Sequence, residues 1–334
     1  MYPQQIWLIY RRSATIKLCC NYYFFLSGNN SVNFKSIIME FLDLKTQQNR
    51  IRKPLEKRFS AILDHGAYIM GPEVYELEEK LADYCGVKHA ISCSSGTDAL
   101  LIPLMAWGIG PGDAVFTTPF TYVATAEVIA LLGATPVFVD VYDSTFNIDC
   151  EKLEIAIQNT ISKGELTPKA IIPVDLFGVP ARYRLIEDIA KKYDLKVIED
   201  AAQSFGAEYK GKKVGSLVDL TCFSFNPVKN LGAMGDAGAV TGNKELIDKV
   251  KMYRDHGRRT KFEYDVVGYN SRIDNLQAVV IESKLKKLNE WTEKKRKICH
   301  RYTAELKGVV KCPKEAQWSY HTYYVYVIET PKGT

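Results

Sequence analysis

The stretch that decides the fold is Phe223-Ser-Phe-Asn-Pro-Val-Lys-Asn-Leu-Gly232. The apolar, aromatic run from Thr221 to Phe225 predicts a buried strand. Asn226-Pro227 ends that strand, because proline has a fixed φ and no N–H to donate. Lys229 then stands between a buried strand and a glycine-rich segment. Burial lowers the pKa of a lysine and leaves a nucleophilic amine suited to binding an aldehyde. The alternative is an ordinary solvated loop lysine.

Apolar strands alternate with amphipathic helices along most of the chain. The predicted strands are 89–93, 114–117, 136–140, 169–174, 195–199, 220–225 and 237–241. This alternation predicts an α/β protein with a mostly parallel sheet and helices on both faces. A long helix or helix pair is predicted over 275–306, and it leads to a second region with a final strand over 321–328.

Composition excludes several classes of function. The chain has 334 residues and a net charge of +5, enough length for one large and one smaller domain. Residues 1–38 carry four basic residues and no acid, whereas the rest has 40 basic and 39 acidic residues. A nearly neutral body argues against nucleic-acid binding, and no apolar run is long enough to span a membrane. The eight cysteines show no metal-ligand spacing, so we predict reduced thiols, a cytoplasmic location and no metal site.

Residues 1–38 differ from the remainder of the chain, because their apolar residues follow neither a helical nor a strand period. We expect a poorly structured extension, since ordinary globular sequence begins at a second methionine, Met39. The alternative is a signal peptide, because Arg11-Arg12 precedes an apolar segment. That segment is short and interrupted by Lys17 and Asn21, and no small-residue cleavage site follows it.

Three predicted strand ends carry residues that suit a ligand, and ligands of parallel sheets bind at that edge. Ser94-Ser95-Gly96-Thr97 opens a helix, where small residues and free N–H groups favour a phosphate. A plain serine or threonine N-cap is the alternative. Ser224 lies near the end of the predicted strand 220–225, and its hydroxyl could add a further contact to a phosphate.

The strand Val197-Ile198-Glu199-Asp200 ends in two carboxylates. A buried carboxylate needs a partner, and a protonated ring nitrogen would serve; an acid that caps the following turn is the alternative. Tyr122 has a ring that could lie over a flat cofactor, whereas Phe120 suits core packing. Taken together, a phosphate cradle, a carboxylate and a lysine meet the needs of pyridoxal phosphate (PLP).

The chain resembles the DegT/DnrJ/StrS family of PLP-dependent nucleotide-sugar aminotransferases over roughly residues 40–330. The motifs that carry the resemblance are Tyr68-Ile-Met-Gly-Pro-Glu-Val74, Ser94-Ser-Gly-Thr-Asp-Ala-Leu100, Thr118-Pro-Phe-Thr-Tyr122, Ile198-Glu-Asp-Ala-Ala-Gln203, Ser224-Phe-Asn-Pro-Val-Lys-Asn-Leu-Gly232 and Gly268-Tyr-Asn-Ser-Arg-Ile273. The resemblance implies the aspartate-aminotransferase fold (fold type I), with a mostly parallel seven-stranded sheet. It implies a large PLP-binding domain over 39–280 and the start of a small α/β domain over 281–334 that looks truncated.

The resemblance also implies a role for each site residue. Lys229 would bind the aldehyde of pyridoxal 5'-phosphate, and Asp200 would keep its ring nitrogen protonated. The remaining cofactor-binding residues would be Gly96, Thr97 and Ser224 at the phosphate, Gln203 at the ring hydroxyl, Tyr122 on the ring face, and Asn270 reaching the phosphate of the neighbouring subunit. The expected assembly is therefore a homodimer with shared active sites.

The implied reaction is transamination from L-glutamate to a nucleotide-linked keto-sugar, at C3 of a UDP- or dTDP-linked sugar, in polysaccharide, lipopolysaccharide or glycoside biosynthesis. Lys229 favours this reaction, because relatives with histidine there carry out dehydration. The chain departs from the family at Asp175, which we expect near the substrate and where the family often has histidine or serine. The alternative function is a PLP-binding regulatory or non-catalytic homologue.

Overall fold

The computed structural model describes residues 6–12, 15–18 and 42–330, the first two ranges as backbone only. The helices in these ranges are α1 (Leu44–Asn49), α2 (Arg52–His65), α3 (Pro72–Cys85), α4 (Gly96–Ala106), α5 (Ala124–Leu131), α6 (Cys150–Lys163), α7 (Tyr183–Tyr193), α8 (Lys244–Arg254) and α9 (Asn275–Leu306). The strands are β1 (Ile6–Arg12), β2 (Thr15–Leu18), β3 (Ala90–Cys93), β4 (Asp113–Thr117), β5 (Thr135–Phe138), β6 (Thr167–Ile171), β7 (Lys196–Asp200), β8 (Glu208–Tyr209), β9 (Lys212–Lys213), β10 (Leu220–Ser224), β11 (Gly238–Gly242), β12 (Ser319–Tyr320) and β13 (Tyr326–Glu329).

The central sheet has seven strands in the order β3-β11-β10-β7-β6-β4-β5. β4 pairs in parallel with β5 and β6, and β7 pairs in parallel with β6 and β10. β11 alone in this sheet runs antiparallel to both of its neighbours. The predicted seven-stranded, mostly parallel sheet flanked by helices is therefore confirmed, and each predicted strand of the sheet lies within a few residues of an observed one.

Helix boundaries follow local chemistry. α3 begins at Pro72, where a missing N–H costs nothing, and ends at Gly86 in the left-handed conformation. Its buried face includes Val74, Leu77 and Leu81, which join the core beside the sheet. α9 is one continuous helix that packs against α2 and α3 and continues towards the C-terminal region. The predicted domain boundary at residue 280 falls inside this helix, and the domain division stays a prediction.

Part of the predicted 1–38 extension is described. β1 pairs in parallel with β13, Ile6 beside Tyr326 and Ile9 beside Glu329, and β2 pairs antiparallel with β1. The other residues of the extension lie outside the described ranges, so its character stays a prediction. In the part of the chain that the structure describes, no helix combines the length and the apolar character needed to cross a membrane.

The prediction of a strand over 321–328 is wrong for its first five residues. The segment 321–325 instead packs on the 3-10 turn Leu176–Gly178, where the Thr322 N–H donates to the Gly178 carbonyl and the Tyr324 N–H donates to the Phe177 carbonyl. These amides bind a turn, so they do not join a ladder of the sheet. The strand itself begins only at Tyr326.

Candidate active site

The candidate site lies at the carboxyl ends of the parallel strands. β7 ends at Asp200 and β10 ends at Ser224, and the two strands are neighbours with Asp200 beside Cys222. The loop after β10 carries Lys229, and the loop after β7 carries Gln203. Strand pairing therefore brings four of the predicted site residues to one edge of the sheet, where ligands of such folds bind.

Lys229 is half-buried and opens onto a cavity of about 120 Å³. Its Nζ lies 4.8 Å from the centroid of the Tyr324 ring. Burial lowers the pKa of Lys229 from its usual value, while the nearby Asp200 carboxylate acts in the opposite direction. The expectation of a lysine with a lowered pKa after the buried strand therefore agrees with the structure, and an ordinary solvated lysine does not.

Asp200 is buried, and its carboxylate has two hydrogen-bond donors. Thr125 Oγ1 donates to Oδ2 at 2.8 Å, and the Ala202 N–H donates to Oδ1 at 3.2 Å. Burial raises the pKa of Asp200, and Thr125, Ala202 and the Lys229 charge each oppose that rise. The contact with Ala202 is the turn cap considered as the alternative, so the carboxylate both caps the turn and faces the lysine. Sequence reasoning missed Thr125, which lies 75 residues away.

Gly96 and Ser224 meet closely at the start of α4. A Cβ on Gly96 would lie 2.5 Å from the Ser224 Cβ, so only glycine fits here. Ser95 is the N-cap of α4, with its side chain accepting the Asp98 N–H at 3.0 Å. Gly96 and Thr97 are then the first residues of the helix, where N–H groups lack helical partners and attract an anion. The serine cap and the anion cradle are thus both present.

Gln203 is tied to the turn that precedes α7. Its Oε1 accepts the Phe177 N–H at 2.7 Å, which orients the side-chain amide. The backbone carbonyl of Gln203 accepts a hydrogen bond from Asn230, the residue after the lysine. The loops that carry Gln203 and Lys229 are therefore joined directly.

Two predicted residues stand apart from this group. The Tyr122 side chain is 70% exposed, just before α5, whereas Phe120 is buried among apolar side chains as expected. Asn270 is exposed, and its Oδ1 accepts from Arg272 Nε at 3.1 Å. No contact of the described residues joins either of them to Lys229, and their roles stay predictions.

Asp175 lies beside the site, because its N–H donates to the Asp200 carbonyl at 3.0 Å, and its place near the substrate stays a prediction. Asp175 is fully buried, and its carboxylate accepts hydrogen bonds from the Ala181 N–H, Tyr183 Oη and Ser204 Oγ. Burial raises its pKa to about 6, and these donors limit the rise. A carboxylate with three internal partners supports the turn beneath the site.

The residues present fit PLP. A cradle that a Cβ would fill suits the phosphate, a buried carboxylate suits a protonated ring nitrogen, and a lysine with a lowered pKa suits the aldehyde. The fold and this site together define a PLP-dependent transferase of fold type I.

Comparison with known proteins places the chain in a family. The family model of the DegT/DnrJ/EryC1/StrS aminotransferase family matches residues 49–334. The protein belongs to this family, as its motifs predict. It is a transaminase, and its cofactor is pyridoxal 5'-phosphate.

Individual relatives agree with that assignment. A UDP-2-acetamido-2-deoxy-3-oxo-D-glucuronate aminotransferase of Pseudomonas aeruginosa is 48% identical over 275 residues, 81% of this chain and 74% of the relative. The crystal structure of a DegT DnrJ EryC1 StrS aminotransferase from Brucella abortus is 46% identical with a TM-score of 0.85, covering 86% of this chain and 78% of that one. NtdA from Bacillus subtilis, solved with bound cofactor PMP, is 34% identical with a TM-score of 0.76, covering 83% of this chain and 63% of that one.

Proposed function

We propose that this transaminase transfers an amino group from L-glutamate to C3 of a nucleotide-linked 3-keto sugar, with UDP or dTDP as the nucleotide. The observation that carries the proposal is that Lys229, in the loop after β10, and the buried Asp200, at the end of β7, lie at the carboxyl ends of neighbouring strands. The 3-oxo sugar in the name of the Pseudomonas relative supports the position of transfer. The alternative is a regulatory homologue without activity, and the presence of Lys229 and Asp200 argues against it.

When bound, PLP supplies an aldehyde that receives the amine and a pyridinium ring that stabilises negative charge at the donor's Cα. Lys229 would hold that aldehyde before the amino donor takes its place. Because burial lowers its pKa, Lys229 gives up its proton more readily than an ordinary lysine, and its Nζ would take the proton from the donor's Cα as a general base. The same Nζ returns a proton in the second half of the cycle.

The other residues bind and orient. Asp200 accepts the hydrogen bond of the protonated ring nitrogen, and Thr125 and Ala202 hold its carboxylate in place. The first turn of α4, with Gly96, Thr97 and the neighbouring Ser224, binds the phosphate. Gln203 reaches the ring hydroxyl with its amide nitrogen, since its oxygen already accepts from Phe177. Tyr122 covers one face of the ring.

We also propose a homodimer in which Asn270 completes the phosphate site of the other subunit. The segment before Asn270 exposes large apolar side chains: Phe262 is 81%, Tyr264 56% and Val267 89% exposed. Exposed apolar side chains this close in sequence support the proposal of an interaction surface here. Asn270→Ala should raise the PLP dissociation constant. Sedimentation of the holo protein measures its assembly state. A holo protein that sediments as a monomer and binds PLP tightly would sink this part of the proposal.

The cytoplasm is the proposed location. Cys85, Cys93, Cys150, Cys222, Cys299 and Cys312 are free thiols. Reduced cysteines are the rule in that compartment.

A half-reaction tests the proposed chemistry. L-Glutamate added to the holo protein should convert the absorbance of the lysine-bound cofactor to that of its amine form and release 2-oxoglutarate. The amine form should then react with UDP- or dTDP-linked 3-keto sugars. Bound cofactor that never changes its absorbance with glutamate or another amino acid favours the regulatory alternative.

A further inference from the structure

The residue after the catalytic lysine is held by three different parts of the chain. Asn230 Nδ2 donates to the Gln203 carbonyl at 3.3 Å and to Thr322 Oγ1 at 3.0 Å. Asn230 Oδ1 accepts from Lys295 Nζ at 2.6 Å. Lys295 belongs to α9, so one side-chain amide joins the loop after β7, the segment before β13 and the long helix.

The chemistry of these partners determines how the amide is oriented. An ammonium group only donates and a backbone carbonyl only accepts, so the Asn230 oxygen must face Lys295 and its nitrogen must face Gln203. In the reverse orientation the Asn230 oxygen would face the carbonyl oxygen of Gln203, and the Asn230 nitrogen would face the ammonium of Lys295. A charge-assisted hydrogen bond of this length is among the stronger ones that a side chain makes.

Three groups at the site lie in this cluster or within two residues of it. Asn230 follows Lys229 directly, and Gln203 is itself an acceptor in the cluster. Tyr324 lies two residues after Thr322, and its ring centroid lies 4.8 Å from Lys229 Nζ. The cluster therefore sets the positions of the lysine, the amide and the aromatic ring relative to one another.

We propose that Lys295 is a positioning residue, which acts through Asn230 to hold Lys229, Gln203 and Tyr324 in the arrangement that binds the cofactor and moves the proton. Lys295 touches no reacting atom in this account. Only the expected change in the half-reaction rate rests on the proposed function. The expected change in cofactor affinity does not, because affinity for PLP does not depend on the identity of the amino donor.

Lys295→Met tests the proposal, since methionine keeps the length of the side chain and removes the donor. Its neighbour Lys294 provides the matched control: Lys294→Met removes an exposed lysine that pairs with Glu290 one turn away. We expect Lys295→Met to raise the PLP dissociation constant and to slow the glutamate half-reaction, each by about tenfold. Lys294→Met should change neither, and the KM for glutamate should stay near its normal value in both variants.

A double-mutant cycle separates positioning from general support of the fold. If Lys295 acts through Asn230, the double variant Lys295→Met/Asn230→Ala should be no worse than Asn230→Ala alone. Lys295→Gln, which keeps a neutral donor, should recover part of the affinity. Both measurements are made on holo protein whose melting temperature has been recorded.

The possible outcomes are distinct. Additive losses in the cycle, or a Lys295→Met variant with normal PLP affinity and normal half-reaction rate, overturn the role of Lys295. A wild-type protein that binds PLP but ignores L-glutamate overturns the proposed donor and leaves the cofactor affinities to decide the role of Lys295. If Lys295→Met fails to fold, Lys295→Gln and Asn230→Ala carry the same comparison, and equal affinity in Lys295→Gln, Asn230→Ala and wild type overturns the proposal.

Discussion

Glu199 and Asp200 follow one another on β7, and successive side chains of a strand lie on opposite faces of the sheet. Both are buried, at 0% and 4% exposure, and burial raises the pKa of both. Glu199 faces a second carboxylate, Asp175, which raises its pKa further. Asp200 faces Lys229 and accepts from Thr125 and Ala202, which all lower its pKa.

The difference shows that partners, not burial, decide what a buried carboxylate does. Burial and the neighbouring Asp175 carboxylate raise the pKa of Glu199, while Thr221 Oγ1 donates to it at 2.6 Å. Asp200 has a nearby cation and two donors, and all three favour its ionised form. The two residues therefore have different uses, charge at the active site for Asp200 and internal support for Glu199.

The largest effect should follow from removing Lys229, the cation near Asp200. Lys229→Ala should abolish steady transamination, because the variant loses both the aldehyde-binding amine and the general base; loss of such a base alone costs about 10²–10⁴-fold. The melting temperature of the cofactor-free protein should change little. Steady turnover of the purified variant would contradict the role of Lys229.

Changing Asp200 should come next. Asp200→Asn replaces the carboxylate by a neutral amide that cannot stabilise a protonated ring nitrogen, so we expect the half-reaction to slow on the order of 10²-fold. Glu199→Gln is the matched control, since it makes the same chemical change one residue away. Equal losses in the two variants would contradict different functions for Glu199 and Asp200.

The Glu199 side has its own pH-dependent prediction. Because the folded pKa of Asp175 is raised to about 6 and that of Glu199 lies above its usual value, the folded state keeps protons that the unfolded chain has lost. The free energy of unfolding should therefore fall as pH rises from about 4 through the folded pKa values. Glu199→Gln cannot ionise, so it should make this fall shallower and should leave the variant more stable than the wild type at pH 7. Denaturant unfolding at several pH values measures both, and an unchanged slope would contradict the raised pKa of Glu199.

The smallest effect is expected at the N-terminal extension. Deleting residues 1–38 removes β1 from its place beside β13 and leaves the contacts of the site intact, since those are made by residues between Ser95 and Tyr324. Activity should be essentially unchanged, and the melting temperature should fall by no more than a few degrees. A large loss of activity would show that the extension supports the site.

Local pattern predicted a large part of this structure. The alternation of apolar strands with helices predicted the sheet, and the Asn-Pro break after a buried strand predicted a lysine with a lowered pKa. The resemblance, not the residues alone, singled out Asp200 from Glu199. The pattern around His321 predicted a strand, because it cannot report that the Thr322 and Tyr324 amides bind the turn at Gly178.

The missed parts of the site are long-range contacts. Thr125 lies 75 residues from Asp200, and Lys295 lies 65 residues from Asn230. The family resemblance led to the expectation that Asp175 lies near the substrate, but it could not show that Tyr183 and Ser204 donate to the Asp175 carboxylate inside the protein. Such partners depend on how elements pack, and no spacing in the sequence records them.

The most direct test of the account is to find which lysine holds the cofactor. Burial lowers the pKa of Lys229, Lys284 and Lys295, so all three have amines able to bind an aldehyde. The holo protein would be treated with borohydride to make the lysine–cofactor bond permanent, digested and analysed by mass spectrometry. The account predicts the modification on the peptide that contains Lys229 and on no other. Modification of Lys284 or Lys295 instead, with Lys229 unmodified, would contradict it.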